Sequence, residues 1–206
     1  YSKMIAAHKE KKADCTIAVF DVPLSEASRF GIMNTAPDGR IVEFEEKPKQ
    51  PKSTHASMGI YMFNREVLRE YLVRDENTPG SDNDFGKNII PAMLADGKSL
   101  YAYEFSGYWK DVGTIKSLWD ANMDLLGEKP VYNLHDEWFR IYSRTPALPP
   151  QFIGEGSVVH NSIVTEGNNI YGTVENSVLF SGVTVEAGAV VRDSVIMQGW
   201  IIHSGA

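Results

Sequence analysis

"FIGEGSVVHNSIVTEGNNIYGTVENSVLFSGVTVEAGAVVRDSVIMQG", residues 152–199, contains one short phrase three times. The phrase begins as NSIV at Asn161, NSVL at Asn176 and DSVI at Asp193, at intervals of 15 and 17 residues. Apolar residues also recur at six-residue steps, at Ile153 and Val159 and then at Leu179, Val185, Val191 and Met197. Hexads of small and β-branched residues, about three per repeat, predict a left-handed parallel β-helix with triangular coils over residues 151–206.

A β-sandwich is the alternative for short strands of this kind. It does not explain the glycines spaced through the region, at Gly154, Gly156, Gly167, Gly172, Gly182 and Gly188. In a β-helix each coil buries its inward side chains on the neighbouring coils, so about three repeats are the minimum for stability. The three phrases meet that minimum, and the β-helix is therefore our prediction.

The residues before the repeats divide into an α/β domain and a linker. Residues 129–150 contain four prolines and no clear period, which is typical of a linker that packs through its aromatic side chains. Residues 1–128 alternate strand and helix patterns, which predicts a layered α/β domain. The strand patterns cover residues 15–22, 30–46 (a hairpin around the turn APDG), 56–64 and 100–105. Gly59, inside the third of these patterns, indicates close backbone approach.

Helical spacing occurs between these strands. Residues 1–12 place four side chains on one helix face, those of Tyr1, Met4, Ile5 and His8. Asn64 is a candidate cap for a helix that carries apolar residues over 67–72. Pro91 and Gly97 mark the start and the end of another helix. A last helix is predicted over residues 115–126.

Composition excludes several kinds of partner. The formal net charge of −7 argues against a nucleic-acid surface, but not against phosphorylated small molecules. No run approaches the roughly 18–20 apolar residues of a membrane span. No signal-peptide pattern opens the chain, so we expect a cytoplasmic protein. Cys15 is the only cysteine, which excludes an internal disulfide and favours a buried structural thiol.

The ends of the sequence indicate a piece of a longer protein. The chain starts at Tyr1, without Met and directly on a helical pattern, and it stops abruptly after WIIHSGA. We therefore expect an interior piece.

Candidate chemistry begins at the motif EEKP, where the second strand of the hairpin ends. Pro48 disfavours α-conformation at Lys47 and cannot extend a sheet ladder, so we expect Lys47 to project from an extended strand end. Ligands of α/β sheets bind at such ends, and an ammonium group suits a phosphate oxygen. A solvated lysine beside two glutamates is the alternative interpretation.

Asp111, Ser57 and Tyr61 are further candidates, each with a structural alternative. Asp111, in GYWKDVGT, is a carboxylate that can bind Mg²⁺ or can simply lead into a helix. Ser57 and Tyr61 lie four positions apart on one strand and so share a face, where they either line a site or pack in the core.

Asp84, Phe85 and Trp109 are equally open. Asp84 either belongs to a site or caps the helix that follows it. Phe85 and Trp109 either cover a sugar ring or fill the core. The five histidines show no ligand spacing, so we predict no zinc site, and no Ser/His/Asp or Cys/His constellation stands out.

The order of the motifs is more informative than any one of them. FGIM, FEEKP, SMGIYMF, DFGKNIIP and YWKDVGT follow one another, and a proline-rich linker and hexad repeats come after them. Together they resemble the sugar nucleotidyltransferase family, and within it the bacterial glucose-1-phosphate adenylyltransferases, over essentially all 206 residues. The resemblance implies the C-terminal part of a Rossmann-like nucleotidyltransferase domain over residues 1–128, a linker over 129–150 and a truncated β-helix over 151–206.

The resemblance also implies a reaction. ATP and α-D-glucose 1-phosphate form ADP-glucose and diphosphate, as a step of glycogen biosynthesis. The sugar phosphate attacks the α-phosphorus of the nucleotide, and Mg²⁺ screens the two polyanions, without a covalent enzyme intermediate. Members of the family are expected to be allosteric homo-oligomers (tetramers) or hetero-oligomers with a paralogue.

Site residues follow from the same resemblance. Lys47 would bind the phosphate of glucose 1-phosphate, Glu46 would accept hydrogen bonds from the sugar hydroxyls, and Gly31 would let backbone approach the sugar. Asp111 would be the catalytic residue and one of two metal-binding aspartates. The other substrate-binding residues implied are Ser57, Tyr61, Asp84, Phe85 and Trp109.

Part of the family's site has no counterpart in these residues. The glycine-rich phosphate loop, the nucleotide-base pocket and the first metal-binding aspartate of the family lie upstream of the helix that opens this chain. We therefore expect the chain to hold the sugar-phosphate half of the site and to make no ADP-glucose by itself. Since the base pocket is missing, another nucleotide-sugar pyrophosphorylase stays an alternative.

Two other functional classes are alternatives. A non-catalytic regulatory subunit of the same family would keep the fold for assembly, but such subunits lose charged pocket residues that this chain keeps, Glu46, Lys47 and Asp111. A hexapeptide-repeat acyltransferase would bind coenzyme A on its β-helix, but only about three coils are visible, and no histidine has a catalytic setting.

Overall fold

The computed structural model describes residues 1–134, 137, 144 and 147–206. They form two compact units, Tyr1–Gly107 and Tyr108–Ala206. The predicted linker over 129–150 therefore lies partly outside the described residues, and the predicted domain boundaries stay a prediction. None of the helices in the described ranges has the length and apolar character needed to cross a membrane.

One mixed five-stranded sheet forms the centre of the first unit. Its strands are β1 Cys15–Asp21, β2 Gly31–Thr35, β3 Ile41–Glu46, β4 His55–Phe63 and β5 Leu100–Glu104. They lie in the order β3-β2-β4-β1-β5, with β1 and β5 parallel and the other neighbours antiparallel. These bounds confirm the predicted strands and the hairpin.

Three helices and two short turns complete the first unit. They are α1 Ser2–Glu10, α2 Arg65–Glu76, α3 Ile90–Ala95, a 3₁₀ turn Ala27–Arg29 and a π-helical turn Phe85–Ile89. Pro91 lies in the first turn of α3, and Gly97 follows its end with a φ of 72°, as the sequence predicted.

Acidic residues end three strands of this sheet. Gly31 at the start of β2 pairs with Glu46 at the end of β3. His55 at the start of β4 pairs with Asp21 at the end of β1, and β5, which ends at Glu104, runs parallel to β1. β1 and β5 therefore finish at the same end of the sheet, at Asp21 and Glu104, whereas β3 runs antiparallel to both strands.

The core of the first unit contains the predicted buried thiol. Cys15 is fully buried among Ile17, Val19 and Leu100. Burial first, and the charge of Asp14 second, raise the pKa of this thiol far above its ordinary value. Cys15 is thus an inert structural group.

Helix α1 uses only half of its predicted apolar face. Met4 and His8 are buried, and the His8 Nδ1 atom lies 2.8 Å from the Thr16 hydroxyl. Tyr1 and Ile5, predicted on the same face, are 86% and 39% exposed.

Two local predictions on β4 and α2 are wrong. Asn64 occupies the N-cap position of α2 but makes no capping hydrogen bond, because its side-chain oxygen lies 3.3 Å from His8 Nε2 while its amide donates to the Ala13 carbonyl at 2.9 Å. A Cβ built on Gly59 would meet no atom within 4 Å. Gly59 has a φ of 68° and lies where β4 bulges opposite the Ile17–Val19 part of β1, so backbone conformation rather than close approach requires glycine there.

The described residues of the second unit form α4 Ile115–Met123 and ten short strands. These strands are β6 Phe152–Ile153, β7 Val158–His160, β8 Ile163–Val164, β9 Asn169–Ile170, β10 Thr173–Glu175, β11 Val178–Leu179, β12 Thr184–Val185, β13 Val190–Arg192, β14 Val195–Ile196 and β15 Ile201–Ile202. They form three parallel sheets, β13-β10-β7, β14-β11-β8 and β15-β12-β9-β6. The three sheets are the sides of the predicted parallel β-helix, which is therefore confirmed.

The hexad prediction holds inside the β-helix and fails at its ends. Leu179, Val185 and Val191 are buried inside the coils, as predicted. Met197 is 44% exposed, and Ile196 instead pairs with Leu179. The predicted inward residues of the first coil, Ile153 and Val159, are 44% and 38% exposed, because a terminal coil is covered on one side only.

The repeated phrase forms one corner of the β-helix. Asn161, Asn176 and Asp193 all have left-handed backbone conformation, with φ of 41°, 45° and 47°. Each asparagine amide donates to the side-chain oxygen of the equivalent residue in the next coil. Asn and Asp tolerate this conformation better than other non-glycine residues.

The corner is also the place where the step between inward residues shortens. Val191 and Ile196 are five positions apart instead of six, and this is why the hexad count is wrong at Met197.

Helix α4 packs along this corner. It begins in a capping box between Thr114 and Ser117 and ends at Met123, three residues before the predicted end at Leu126. The Trp119 indole donates to the Asp193 carbonyl at 2.8 Å. Contacts of this kind explain why α4 belongs to the same compact unit as the β-helix.

Candidate functional site

Glu46 and Lys47 lie side by side where β3 ends. The Lys47 Nζ atom is 3.4 Å from Glu46 Oε1, and the two side chains are 65% and 21% exposed. The Lys47 amide continues the ladder beyond β3 by donating to the Phe30 carbonyl at 3.1 Å. A solvent-facing ammonium group therefore lies next to a mostly covered carboxylate, and such an ammonium group can bind a phosphate oxygen.

The backbone of Lys47 is not extended as the sequence predicted. Its φ is 50°, in the left-handed region. Pro48 disfavours the right-handed helical region for Lys47, and the left-handed conformation avoids that region while it turns the chain out of the sheet. Non-glycine residues held in this region cluster at functional sites, at a cost of roughly 1–3 kcal/mol each.

The Glu46 carboxylate lies between two glycines. A Cβ built on Gly31 would lie 2.8 Å from Glu46 Oε2, and one built on Gly86 would lie 2.4 Å from the same atom. Gly31 also faces the ring of Phe44, 2.5 Å from its built Cβ. The space left by Gly31, which the resemblance gives to the sugar, is thus occupied by side chains of the protein itself.

Ser57, Tyr61 and Phe85 form a connected group on β4 and the turn after it. Ser57 is buried, and its hydroxyl hydrogen-bonds to that of Tyr61. The Tyr61 ring stacks on Phe85, with centroids 5.4 Å apart and planes at 16°. Burial raises the pKa of Tyr61, and the charges of Glu46 and Asp84 contribute to the increase. Tyr61 therefore stays a neutral hydroxyl near both carboxylates.

Asp84 caps the turn that carries Phe85, so the capping interpretation is correct. Its Oδ1 atom accepts from the backbone amides of Gly86 and Lys87, at 2.8 and 2.9 Å. Asp84 also donates its own amide to the Asn88 side chain at 3.2 Å. The cap fixes the backbone at Gly86, the residue whose missing side chain makes room for Glu46.

Trp109 and Asp111 belong to the second unit, and both are half-buried. A Cβ built on Gly113 would lie 3.3 Å from Asp111 Oδ2, so the turn after Asp111 is close to its carboxylate. The preceding segment is fixed to the end of α4, because the Lys110 ammonium and the Tyr108 hydroxyl both donate to Asp124, at 2.6 and 2.9 Å. Burial and the hydrogen bond to Asp124 raise the pKa of Tyr108 to about 12.

The carboxylate of Asp111 has the chemistry that Mg²⁺ prefers, since this ion takes oxygen ligands and keeps several waters. Among the described residues, no group of three or more His, Cys, Asp and Glu side chains is arranged to hold a metal ion. A site with one carboxylate supplied by this chain fits both statements.

Seven of the nine predicted site residues lie in the first unit. They are Gly31, Glu46, Lys47, Ser57, Tyr61, Asp84 and Phe85. Sequence reasoning missed Gly86, although the motif DFGK contains it, because its contact with Glu46 joins positions 40 residues apart.

Two cavities were also missed. One, of about 320 Å³ where β1 and β5 end, is lined by Val19, Asp21, His55, Glu104, Phe105 and Ser106. In it the His55 Nδ1 atom lies 3.0 Å from Asp21 Oδ1. The other, of about 690 Å³, lies in the second unit between residues 125–134 and the corner at Asn161, and none of the predicted site residues line it.

Comparison with known proteins gives two family matches. A family model described as "Nucleotidyl transferase" matches residues 1–128. A second, described as "GlmU-like, C-terminal hexapeptide", matches residues 149–206. The first match covers most of the chain.

Curated relatives cover almost the whole chain. A glucose-1-phosphate adenylyltransferase of Clostridium perfringens (strain SM101 / Type A) is 59% identical over 197 residues, which are 96% of this chain and 51% of the relative. Proteins of the same name from Desulforamulus reducens and Bacillus thuringiensis (strain Al Hakam) are each 58% identical, over 96% and 97% of this chain and 50% and 53% of their own lengths. The chain thus spans about half the length of the curated relatives it matches.

Proposed function

The chain belongs to the nucleotidyl transferase family, and from this membership we propose that it supplies the sugar-phosphate half of the active site of a glucose-1-phosphate adenylyltransferase. The reaction proposed for the whole protein joins ATP and α-D-glucose 1-phosphate into ADP-glucose and diphosphate, in glycogen biosynthesis. The observation that carries the proposal is the fixed pair of Glu46 and Lys47 at the end of the sheet, one mostly covered and one facing solvent.

The roles of the chain's own residues follow from their chemistry. The Lys47 ammonium binds a phosphate oxygen and holds the sugar phosphate in line with the α-phosphorus that it attacks. Glu46 accepts hydrogen bonds from sugar hydroxyls, which fixes the orientation of the ring. Tyr61 and Phe85 form an aromatic wall, with the Ser57 hydroxyl behind it, and Asp84 and Gly31 shape the site. Trp109 is the remaining substrate-binding residue of the proposal.

Asp111 is proposed to hold the catalytic Mg²⁺. When bound, this ion neutralises charge on the phosphates and on the leaving diphosphate. In the full-length protein, Asp111→Asn should weaken turnover mainly by shifting its Mg²⁺ dependence to higher concentration. An unchanged Mg²⁺ titration would contradict this role.

The assembly and location of the whole protein are also proposals. We propose a cytoplasmic homo-oligomer, a tetramer, or a hetero-oligomer with a paralogue, in which the β-helix contributes assembly surface. Light scattering of the full-length protein tests the assembly. The relatives described above carry the adenylyltransferase name, and nothing in the described residues favours the regulatory-subunit or the acyltransferase alternative.

Calorimetric titration of the 206-residue chain with glucose 1-phosphate tests the proposal directly. We expect binding to the wild-type chain and its loss in Lys47→Ala. Lys49→Ala is the matched control, because Lys49 is an exposed lysine two positions away that has no role in the proposed site. Absence of binding to the wild-type chain, or equal loss in both variants, would refute the proposal.

A further inference from the structure

Two glycines far apart in the sequence leave the space that the Glu46 carboxylate occupies. A Cβ built on Gly86 would lie 2.4 Å from Glu46 Oε2 and 2.9 Å from its Cδ, whereas ordinary contact begins at 3.4 Å. A Cβ built on Gly31, which lies on β2, would be 2.8 Å from the same Oε2 atom of Glu46. An alanine at either position would therefore take the volume that Glu46 now fills.

Of the two, Gly86 is the position where the contact with Glu46 can be changed by itself. Its backbone does not require glycine, since its φ lies outside the left-handed region. In a helical turn alanine is favoured over glycine by about 1 kcal/mol. Gly31 differs, because a side chain there would also strike the Phe44 ring in the core, at 2.5 Å.

The turn that carries Gly86 is held in place from two sides. The Asp84 carboxylate accepts the Gly86 amide at 2.8 Å, which fixes the peptide directly beside Glu46. The neighbouring Phe85 ring stacks on Tyr61 of β4 at 5.4 Å. The backbone at Gly86 is therefore held on both sides. When a side chain is added at Gly86, the Glu46 carboxylate is the group that has to move.

We propose that Gly86 is a positioning residue: its missing side chain, fixed by the Asp84 cap, sets the place of the Glu46 carboxylate and thereby the fit of the sugar ring. The first step of this inference, the placement of the Glu46 carboxylate, concerns the chain alone. The second step, the fit of the sugar ring, rests on the proposed function. Asp84 acts in the same way, through the turn, because its Oδ1 atom is engaged by two backbone amides.

The size of the displacement follows from the distances. To restore ordinary contact, Glu46 Oε2 must retreat from 2.4 Å to 3.4 Å, a movement of about 1 Å. Hydroxyl–carboxylate hydrogen bonds span only about 2.5–3.0 Å, so a carboxylate moved this far no longer meets the same hydroxyl. The Lys47 ammonium lies on a solvent-facing side chain and keeps its access to phosphate.

A double-mutant cycle in the 206-residue chain tests the second step. Gly86→Ala, Glu46→Ala and the double variant are titrated with glucose 1-phosphate and, separately, with inorganic phosphate. We expect Gly86→Ala to weaken glucose 1-phosphate binding at least about tenfold and to leave inorganic phosphate binding within about twofold. In the Glu46→Ala background the same change should have no further effect, because the group it displaces is gone.

Either of two results overturns the functional step. One is an equal loss of affinity for glucose 1-phosphate and inorganic phosphate in Gly86→Ala, which would indicate general damage to the fold. The other is an undiminished effect of Gly86→Ala in the Glu46→Ala background, which would show that Gly86 acts through another group.

Crystal structures of the wild-type chain and of Gly86→Ala test the first step without any ligand. We expect the Glu46 carboxylate to move by about 1 Å, and an unmoved carboxylate overturns the inference whatever the titrations give. If the wild-type chain binds no glucose 1-phosphate, the proposed function fails, and the crystallographic result still decides the positioning role. If Gly86→Ala does not fold, the double variant, which lacks the clash, should fold, and a double variant that stays unfolded refutes the inference.

Discussion

Two substitutions of Lys47 separate the charge of this residue from the strain in its backbone. Lys47→Ala and Lys47→Gly both remove the ammonium group, but only alanine keeps a Cβ at the left-handed φ of 50°. A side chain in this region costs about 1–2 kcal/mol, and the greater freedom of glycine in the unfolded chain costs about 0.5–1 kcal/mol. We therefore expect Lys47→Gly to be more stable than Lys47→Ala by roughly 0.5–1 kcal/mol.

The lost ion pair has little influence on this comparison. Lys47 is 65% exposed, and exposed pairs such as the one with Glu46 contribute about 0–1 kcal/mol. Both variants lose the pair, so the contribution cancels between them. Urea unfolding at 25 °C measures the stability of each variant.

Binding of glucose 1-phosphate is expected not to distinguish the two variants, because both lose the contact between the ammonium group and the phosphate. Calorimetry with glucose 1-phosphate should give at least about a tenfold loss for either variant, since a charge-assisted hydrogen bond contributes about 1.5–3 kcal/mol. Lys49→Ala is the control for both measurements. A glycine variant less stable than the alanine variant would refute the strain argument, and wild-type affinity in either would refute the role of Lys47 in binding.

Three further predictions concern the other parts of the chain. At the β-helix corner, Asn176→Ala should destabilise the second unit by about 2–3 kcal/mol, and Asn176→Gly by about 1 kcal/mol less, because only alanine suffers in the left-handed region; equal losses in urea unfolding would contradict this. The Lys110 ammonium and the Tyr108 hydroxyl lower the pKa of Asp124 below its model-compound value of 3.8, so their contribution to stability is present above that pH and is lost as the pH falls through the lowered pKa. Asp124→Asn should flatten this acid dependence in pH-dependent unfolding, and an unchanged dependence would contradict the role of Asp124. Finally, the chain alone should release no diphosphate from ATP and glucose 1-phosphate in a coupled assay, and turnover would refute that expectation.

Sequence patterns predicted those features that adjacent positions determine. The β-helix was predictable from a phrase that occurs three times. Its asparagines and serines hydrogen-bond to the equivalent residues of the next coil, so each coil needs the same local sequence. The strands of the first unit follow from apolar runs of the right length. The hexad count was wrong at Met197 because a corner residue shortens the step, and a six-residue rule contains no corner geometry.

Features that depend on distant contacts were not predictable in this way. Asn64 is a residue type that caps helices, yet its side-chain oxygen faces His8, 56 positions away, and its amide donates to the Ala13 carbonyl, 51 positions away. The contact between Gly86 and Glu46 leaves no periodic pattern in either segment. The motif order placed Glu46 in a site only through resemblance to a family, and Gly86 was not among the residues predicted for that site. The physical reason for the glycine became visible only in three dimensions.

The charges around Lys47 indicate that binding of a phosphate monoester needs a cation in addition to the Lys47 ammonium group. A phosphate monoester carries a charge of about −1.5 to −2 at pH 7, and one ammonium group neutralises only about half of it. The Glu46 carboxylate lies beside Lys47, and the nearby Lys87 ammonium is already 2.9 Å from Asp82. Binding of glucose 1-phosphate to a site of this charge should therefore strengthen when Mg²⁺ is present, since the divalent ion accompanies the phosphate.

Titrations of the wild-type chain with glucose 1-phosphate, in Mg²⁺ and in EDTA at equal ionic strength, measure this effect. We expect at least about a threefold gain in affinity with Mg²⁺, which corresponds to roughly 0.7 kcal/mol. Glucose without its phosphate is the control ligand, and its weaker binding should not respond to the metal. Equal affinities for glucose 1-phosphate in both buffers would show that Lys47 suffices for the phosphate and that no divalent ion accompanies it.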